Sequence, residues 1–463
     1  MRLPPTRTVL VVVAVLIVAL AVRVAEVERT SYRPINDAGS YLALASEIAH
    51  TGDYSTSHRP GSGAGGTRGP SAYFPPGYPY FLAAVDLIDG HSTPRDGAVQ
   101  PARLAQAVLG SATVALLGLV AFELFGELVG LVALVLAAVY PVLIELSGTL
   151  VAENLLTALV LAAVYAALRA RRSASAPRRY GWVAGAGVLT GLATLTHENA
   201  ALLVVPLLAA VWTARPRLSL RAVAAPALLL ATAILTIAPW TIRNAVELHR
   251  FIPVTDENGV TLVGTYNRAS AAYKPVPYKW RLFYGIPGER TLIRESRHLS
   301  EATLSGRLQT QALHYIGDHP FSPLAVAYHN TLRLLELEGS FAWRASTAAI
   351  DLPEPTARIG VICFWILCLV ALAGLFTRTV RAGPAWLWAV PVLLWLSVAL
   401  VNAETPRFRE PVDPFLILLA ACALAAPLRA VGRRLSRAPV GRERRPVVPT
   451  RPAQFVEMVE RLA

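Results

Sequence analysis

Asp37 and Glu153 are the acids in this 463-residue chain best placed to move a proton. Asp37 follows an apolar run at 8–27, and Tyr41, Leu44, Ala45 and Ile48 come after it at helical spacing. It therefore stands near the start of an amphipathic interfacial helix. There it can serve as a general base, or only as a helix N-cap or first-turn acid. Glu153 lies just inside the apolar run 149–169. A charged residue at membrane depth costs roughly 2.5–3.5 kcal/mol at the centre on insertion scales, so it is a functional candidate or the partner of Asn154 or an arginine. His197 and Glu198 occupy the turn between runs 181–196 and 199–214. The imidazole can touch a phosphate, hold a metal or cap the hairpin. Arg243 and Asn244 end the segment Pro239–Asn244, and Arg407 and Arg409 precede the last apolar run. A guanidinium fork suits phosphate, and a snorkelling anchor is the other reading. Tyr41, Glu198, Asn244 and Tyr78, the last in the Pro-rich stretch Tyr73–Val85, are candidates for contacting substrate or for packing.

Those residues need a frame, and composition supplies its kind. Hydrophobic residues make up 54% of the chain and charged ones 16%, against roughly 25% charged in soluble domains. Ten apolar runs are candidate spans: 8–27, 101–124, 127–146, 149–169, 181–196, 199–214, 219–239, 357–377, 384–401 and 411–429. The fold class expected is an all-α polytopic membrane protein with about ten transmembrane helices.

A net charge of +13 is the kind that can signal nucleic acid, but its placement excludes that partner. Arg169, Arg171, Arg172, Arg178 and Arg179 follow the fourth run. Arg215, Arg217 and Arg221 join the sixth to the seventh, and Arg378 and Arg381 join the eighth to the ninth. Arg429, Arg433, Arg434, Arg437, Arg442, Arg444 and Arg445 cluster at and after the end of the tenth. Ten spans with a cytoplasmic N-terminus put all of them on one side, the positive-inside signature. Segment 240–356, with 12 basic and 11 acidic residues, falls on the other side.

Four regions follow. Residues 1–239 form an N-terminal transmembrane region that includes an extracytoplasmic loop, 28–100, with amphipathic helices. Residues 240–356 form a larger extracytoplasmic module, 357–429 a C-terminal transmembrane region, and 430–463 a basic cytoplasmic tail expected to be disordered. Both termini are expected in the cytoplasm of a multi-pass cell-membrane protein. The first run could pass for a cleavable signal peptide, but its apolar character continues to Val27, and it is read as a retained helix. The glycine-rich stretch Gly61–Gly69 lacks the ending of a phosphate-binding loop and is read as a flexible tip or lid. Cys363, Cys368 and Cys422 fit no metal spacing.

The order of these features resembles the multi-spanning GT-C glycosyltransferases of the protein O-mannosyltransferase and aminoarabinose transferase group. The resemblance rests on Asp37 to Tyr41, Pro75 to Pro79, Arg103 with Gln106, and Tyr140-Pro141 followed by Glu153. Pro239–Asn244 with the segment after it, and Arg407-Phe408-Arg409 before Pro411 and Pro414, complete it. It implies transfer of a sugar from a polyprenyl-phosphate donor to an extracytoplasmic acceptor, whether glycan, lipid or protein, with inversion and with Asp37 as the base. Read from their own positions and not from the resemblance, Glu153 would be a second catalytic acid, and Arg243, Arg407, Arg409 and His197 would meet the donor phosphate. Membrane lipids are a further expected partner. No cofactor is implied outright, and a divalent metal stays open. The chain departs from the family pattern twice: Ala38 stands where a second acid is common, and His197-Glu198 where Arg-Pro is expected. A transporter or lipid flippase, and a non-catalytic assembly protein, are the alternative classes. Polar groups collected at one face favour neither.

Overall fold

The computed structural model describes residues 6–55, 69–90, 99–213, 216, 219–283, 286, 299–338, 344, 347–403 and 406–435. Most of the glycine-rich stretch and the tail from residue 436 lie outside the described residues. Among those described the secondary structure is helical, apart from an isolated antiparallel bridge between Ser55 and Pro70.

Helix α1 (Thr6–Arg29) leads into two short helices, α2 (Asp37–Thr51) and α3 (Gly77–Asp89). A bundle follows: α4 (Val99–Phe125), α5 (Glu127–Val139), α6 (Pro141–Ser147), α7 (Ala152–Arg172) and α8 (Ala176–Thr196). A 3-10 turn (Glu198–Leu203) feeds α9 (Val204–Val211), and α10 (Leu220–Glu247) leads to a second non-bundle region. That region holds α11 (Asn258–Thr265), α12 (Arg268–Ala271), α13 (Glu301–Asp318) and α14 (Ser322–Leu334). The chain closes with α15 (Glu354–Leu375), α16 (Arg378–Arg381), α17 (Ala385–Ala399), a 3-10 turn (Arg407–Arg409) and α18 (Asp413–Leu435).

Helix occupies each of the ten apolar stretches read from the sequence. Among the described residues five helices, α1, α4, α7, α10 and α15, are long and apolar enough to cross a membrane, and α5 with α6 makes a sixth if taken as one broken span. The break is a 54° bend. Pro141, lacking an N–H, sits at the first position of α6, and the residue before it, Tyr140, is extended as a pre-proline residue prefers. Helix α10 does not stop at the expected residue 239; it runs past Pro239 to Glu247 and carries Arg243 on its last turns.

Among the described residues two large hydrophobic cores stand beside a small cluster of Leu334, Val398, Ala399 and Ala403. One fills the bundle, with Leu117, Leu134, Leu161, Leu387 and Phe415 fully enclosed. The other joins α2 and α3 to α11, α13 and α14. Ala38, Tyr41, Leu44 and Ala45 form the buried face of α2, the stripe expected from their spacing. Burial of a side chain such as Leu44 is worth roughly 1.5–3 kcal/mol. Gly52 ends α2 in the left-handed region, φ 79°, with its N–H on the Ile48 carbonyl at 3.0 Å. Helix α3 starts against the end of α8. A Cβ on Gly77 would lie 2.6 Å from Thr196 Oγ1 and 2.9 Å from the Leu195 carbonyl oxygen.

Candidate active site

Three charged side chains meet where α2, α7 and the 407–409 turn converge. Asp37 is the first residue of α2, and the chain enters it through Asn36 at φ 51°, a conformation Asn tolerates better than most residues. The Asn36 amide donates to the Ala349 carbonyl at 3.2 Å, which holds that turn in place. The Asp37 carboxylate accepts from Arg407 Nη2 at 2.7 Å. Asp37 is not the residue that caps its helix: the cap is Asn36, which makes no side-chain cap hydrogen bond. Arg407 Nε lies 3.6 Å from Glu153 Oε1, in the first turn of α7. The side chains are 32% exposed at Asp37, 11% at Arg407 and 5% at Glu153, so Asp37 is the one an incoming molecule meets. Arg407 also lies over the Phe408 ring, 4.6 Å from its centroid.

Tyr41, one turn beyond Asp37, is buried, and its hydroxyl is pushed well above the usual range by burial and then by Asp37 and Glu153. It stays a proton-bearing donor. His197 ends α8 with its N–H on the Ala193 carbonyl at 2.8 Å, and its ring meets Phe408 edge-on at 6.3 Å. Burial pulls the imidazole below its usual range, opposed by Glu153, so the neutral ring is favoured. Glu198 accepts from Asn258 Nδ2 at 2.9 Å, which ties the turn after α8 to α11.

Sequence reasoning missed Glu257, the residue before α11. It is half-buried, and burial followed by the like charges of Asp37 and Glu198 raises its carboxyl well above the ordinary range. The run Asp256-Glu257-Asn258 ahead of a helix reads as ordinary N-terminal acids, which conceals it. Gln106 and Arg103 were noted only as a motif. Their one-turn spacing puts both on one face of α4, where Arg103 Nε donates to the Gly148 carbonyl at 2.7 Å and Gln106 Nε2 to that of Val151 at 3.0 Å. They grip the loop that delivers Glu153.

Four expected site residues stand elsewhere. Arg409 is fully enclosed, with Nε on Asp413 Oδ1 at 3.0 Å and Nη1 on Glu336 Oε1 at 3.2 Å, so a donor phosphate has no access to it. Arg243 donates to the backbone carbonyls of Ser71 and Tyr54, each at 2.6 Å, and lies over the Trp240 ring. Its charged neighbours are Glu247 and Glu301 rather than the Asp37 group. Asn244 is buried and donates to the Ile252 carbonyl at 3.0 Å. Tyr78 is buried, with its hydroxyl accepting from Gln106 at 2.7 Å. These contacts tie elements of the frame together, with Arg409, Asn244 and Tyr78 buried and Arg243 half-buried. Among the described residues no group of three or more His, Cys, Asp and Glu is arranged to hold a metal ion.

Residues 74–242 match the sequence profile of the family described as dolichyl-phosphate-mannose-protein mannosyltransferase. That segment includes Glu153, His197 and Glu198 and excludes Asp37 and Arg407. The fold is similar to that of the archaeal oligosaccharyltransferase AglB from Archaeoglobus fulgidus. In its complex with an inhibitory peptide and a dolichol-phosphate the TM-score is 0.54 at 14% identity, covering 98% of this chain and 54% of that one. Its apo form gives 0.55 at 14% identity, covering 94% and 52%. ArnT from Cupriavidus metallidurans bound to undecaprenyl phosphate is a weaker likeness, with TM-score 0.42 at 16% identity, covering 92% and 78%. The present chain spans about half the length of the oligosaccharyltransferase. No curated protein matches it in sequence.

Proposed function

We infer that this chain is a membrane glycosyltransferase of the GT-C kind that moves a sugar from a polyprenyl-phosphate carrier to an acceptor hydroxyl on the extracytoplasmic side. The observation that carries the reading is the meeting of Asp37, Arg407 and Glu153, drawn from elements at opposite ends of the chain. A solvent-facing acid beside an arginine, where apolar helices end, suits a lipid-borne phosphate and a water-borne hydroxyl. A dolichol-phosphate accompanies the oligosaccharyltransferase of similar fold, which supports a carrier of that chemical kind.

In this mechanism the donor phosphate takes the Nη2 edge of Arg407 and releases Asp37 from its ion pair. Asp37 accepts the acceptor's hydroxyl proton as that oxygen attacks the anomeric carbon. The bond from that carbon to the phosphate oxygen breaks on the opposite side, which inverts the centre. Arg407 neutralises the leaving phosphate, and Glu153 holds its other edge. Tyr41 remains a donor to the sugar or the acceptor.

The test is incubation of the purified protein in lipid nanodiscs with radiolabelled polyprenyl-phosphate sugars and membrane extract, with Asp37→Asn in parallel. Label transferred to a new product by the parent and not by Asp37→Asn is the expected result. Equal transfer by both proteins would remove Asp37 from the chemistry, and transfer by neither would overturn the reading.

A further inference from the structure

Helix α14 carries an uncovered apolar stripe. Phe321, just before its start, is 78% exposed, Leu324 is 68% and Tyr328 is 62%. They recur at i, i+3 and i+7, one face of a helix. The other face is buried: Val326 and Leu334 are enclosed, and Asn330 Nδ2 donates to the Ala399 carbonyl at 2.9 Å. The sequence of α14 holds one formal charge, Arg333, which is buried and paired with Glu338 at 2.9 Å. Its outer face therefore has no charge to keep it in water.

This stripe is continuous with a spanning helix. Trp365 of α15 donates to the carbonyl of Leu335, at the end of α14, at 2.9 Å. Around Trp365, Ile362, Ile366 and Leu369 are 54%, 56% and 68% exposed, as lipid-facing residues of a span should be. The end of α14 thus packs against the lipid-facing surface of α15.

We propose that α14 lies in the outer leaflet at the boundary of headgroups and hydrocarbon, with phospholipid as the occupant of the Phe321–Leu324–Tyr328 stripe, and that this seating holds the turn bearing Arg407. The mechanical link is short. The Leu334 carbonyl and Glu336 Oε1 accept from Arg409 Nη1 at 2.9 and 3.2 Å, and Arg409 shares its 3-10 turn with Arg407. Tyr328 would place its hydroxyl among headgroups and its ring below them.

This inference rests on the membrane-embedded fold and not on the transferase reading, so its test uses no turnover. Nitroxide labels are placed at Leu324→Cys, Tyr328→Cys and, as a water-exposed control, Asp318→Cys. The background lacks Cys363, Cys368 and Cys422, and the protein sits in phospholipid nanodiscs. Oxygen should relax the labels at 324 and 328 more than a water-soluble nickel chelate does, with the reverse at 318. Stronger relaxation by nickel at 324 and 328 overturns the proposal. So does protection from both reagents, which would mean that a protein partner or second copy covers the stripe. For the link, Leu324→Asp should speed backbone hydrogen exchange at residues 407–410 in nanodiscs by about tenfold or more. Unchanged exchange there overturns it.

Discussion

Arg407 and Arg409 are separated only by Phe408, yet their surroundings give them different work. Arg407 reaches two carboxylates, one of them open to solvent, whereas Arg409 is enclosed with Asp413 and Glu336 and lies 3.4 Å from the Phe364 ring centroid. Replacing Arg409 with Met would remove the cation that Asp413 and Glu336 share in the interior. A loss of about 3–5 kcal/mol is expected, read as a large fall in thermal denaturation temperature. Arg407→Lys keeps a charge but loses the planar fork. It should melt near the parent temperature while binding a polyprenyl-phosphate donor more weakly by about 1.5–3 kcal/mol, measured by equilibrium titration. Asp37→Asn should melt within about 1 kcal/mol of the parent, since a partly exposed ion pair contributes little. Its turnover should fall about 10²–10⁴-fold. An Asp37→Asn variant turning over within a few-fold of the parental rate would shift the base to Glu153 or Glu257.

The first loop reaches the centre through anchors on other elements. Arg243 of α10 takes the carbonyls of Tyr54 and Ser71, on either side of the Ser55–Pro70 bridge. Glu301, at the start of α13, accepts from the Ser71 hydroxyl and the Ala72 N–H, each at 2.7 Å. The Asp256 N–H donates to the Ala72 carbonyl at 3.1 Å, and its own carboxyl is buried beside Glu301. Burial, then the Glu301 charge, raises the Asp256 carboxyl, and burial raises that of Glu301, so the pair retains a proton. A carboxyl raised on folding binds its proton more tightly in the native state. The stability it contributes is therefore greatest at acid pH and declines as pH rises above the ordinary carboxylate range of about 4. Second charges forming on the pair should loosen the anchor. The expected observation is a denaturation temperature that falls with rising pH and a flatter profile in Asp256→Asn. An identical slope in that variant would count against the shared proton.

Across the whole molecule, the arginine distribution predicts which ends of the helices face which compartment. In a cysteine-free background, a cysteine at Asp318 should react with an impermeant thiol reagent on sealed cells, and one at Ser175 should not. Reaction at Ser175 would invert the arrangement. Much of this frame was legible beforehand because span length, apolarity and charge bias are local properties of the chain. The ten helical stretches and the amphipathic α2 headed by Asp37 follow from spacing alone, whereas the break at Pro141 divides a run, 127–146, that reads as one continuous span. Which polar groups face one another was not legible. Asp37 and Arg407 lie 370 positions apart, and no periodicity links them. Arg243 and Arg409 looked as available as Arg407, since exposure and hydrogen-bond partners are set by what packs around a side chain. Nothing in the spacing marks Glu257, which comes near Asp37 and Glu198 only where α11 is tied to the turn after α8. The sequence by itself determined where apolar helices form and which residues could do chemistry. Only tertiary packing, which pairs groups remote in sequence and buries others, decided which of them share a site.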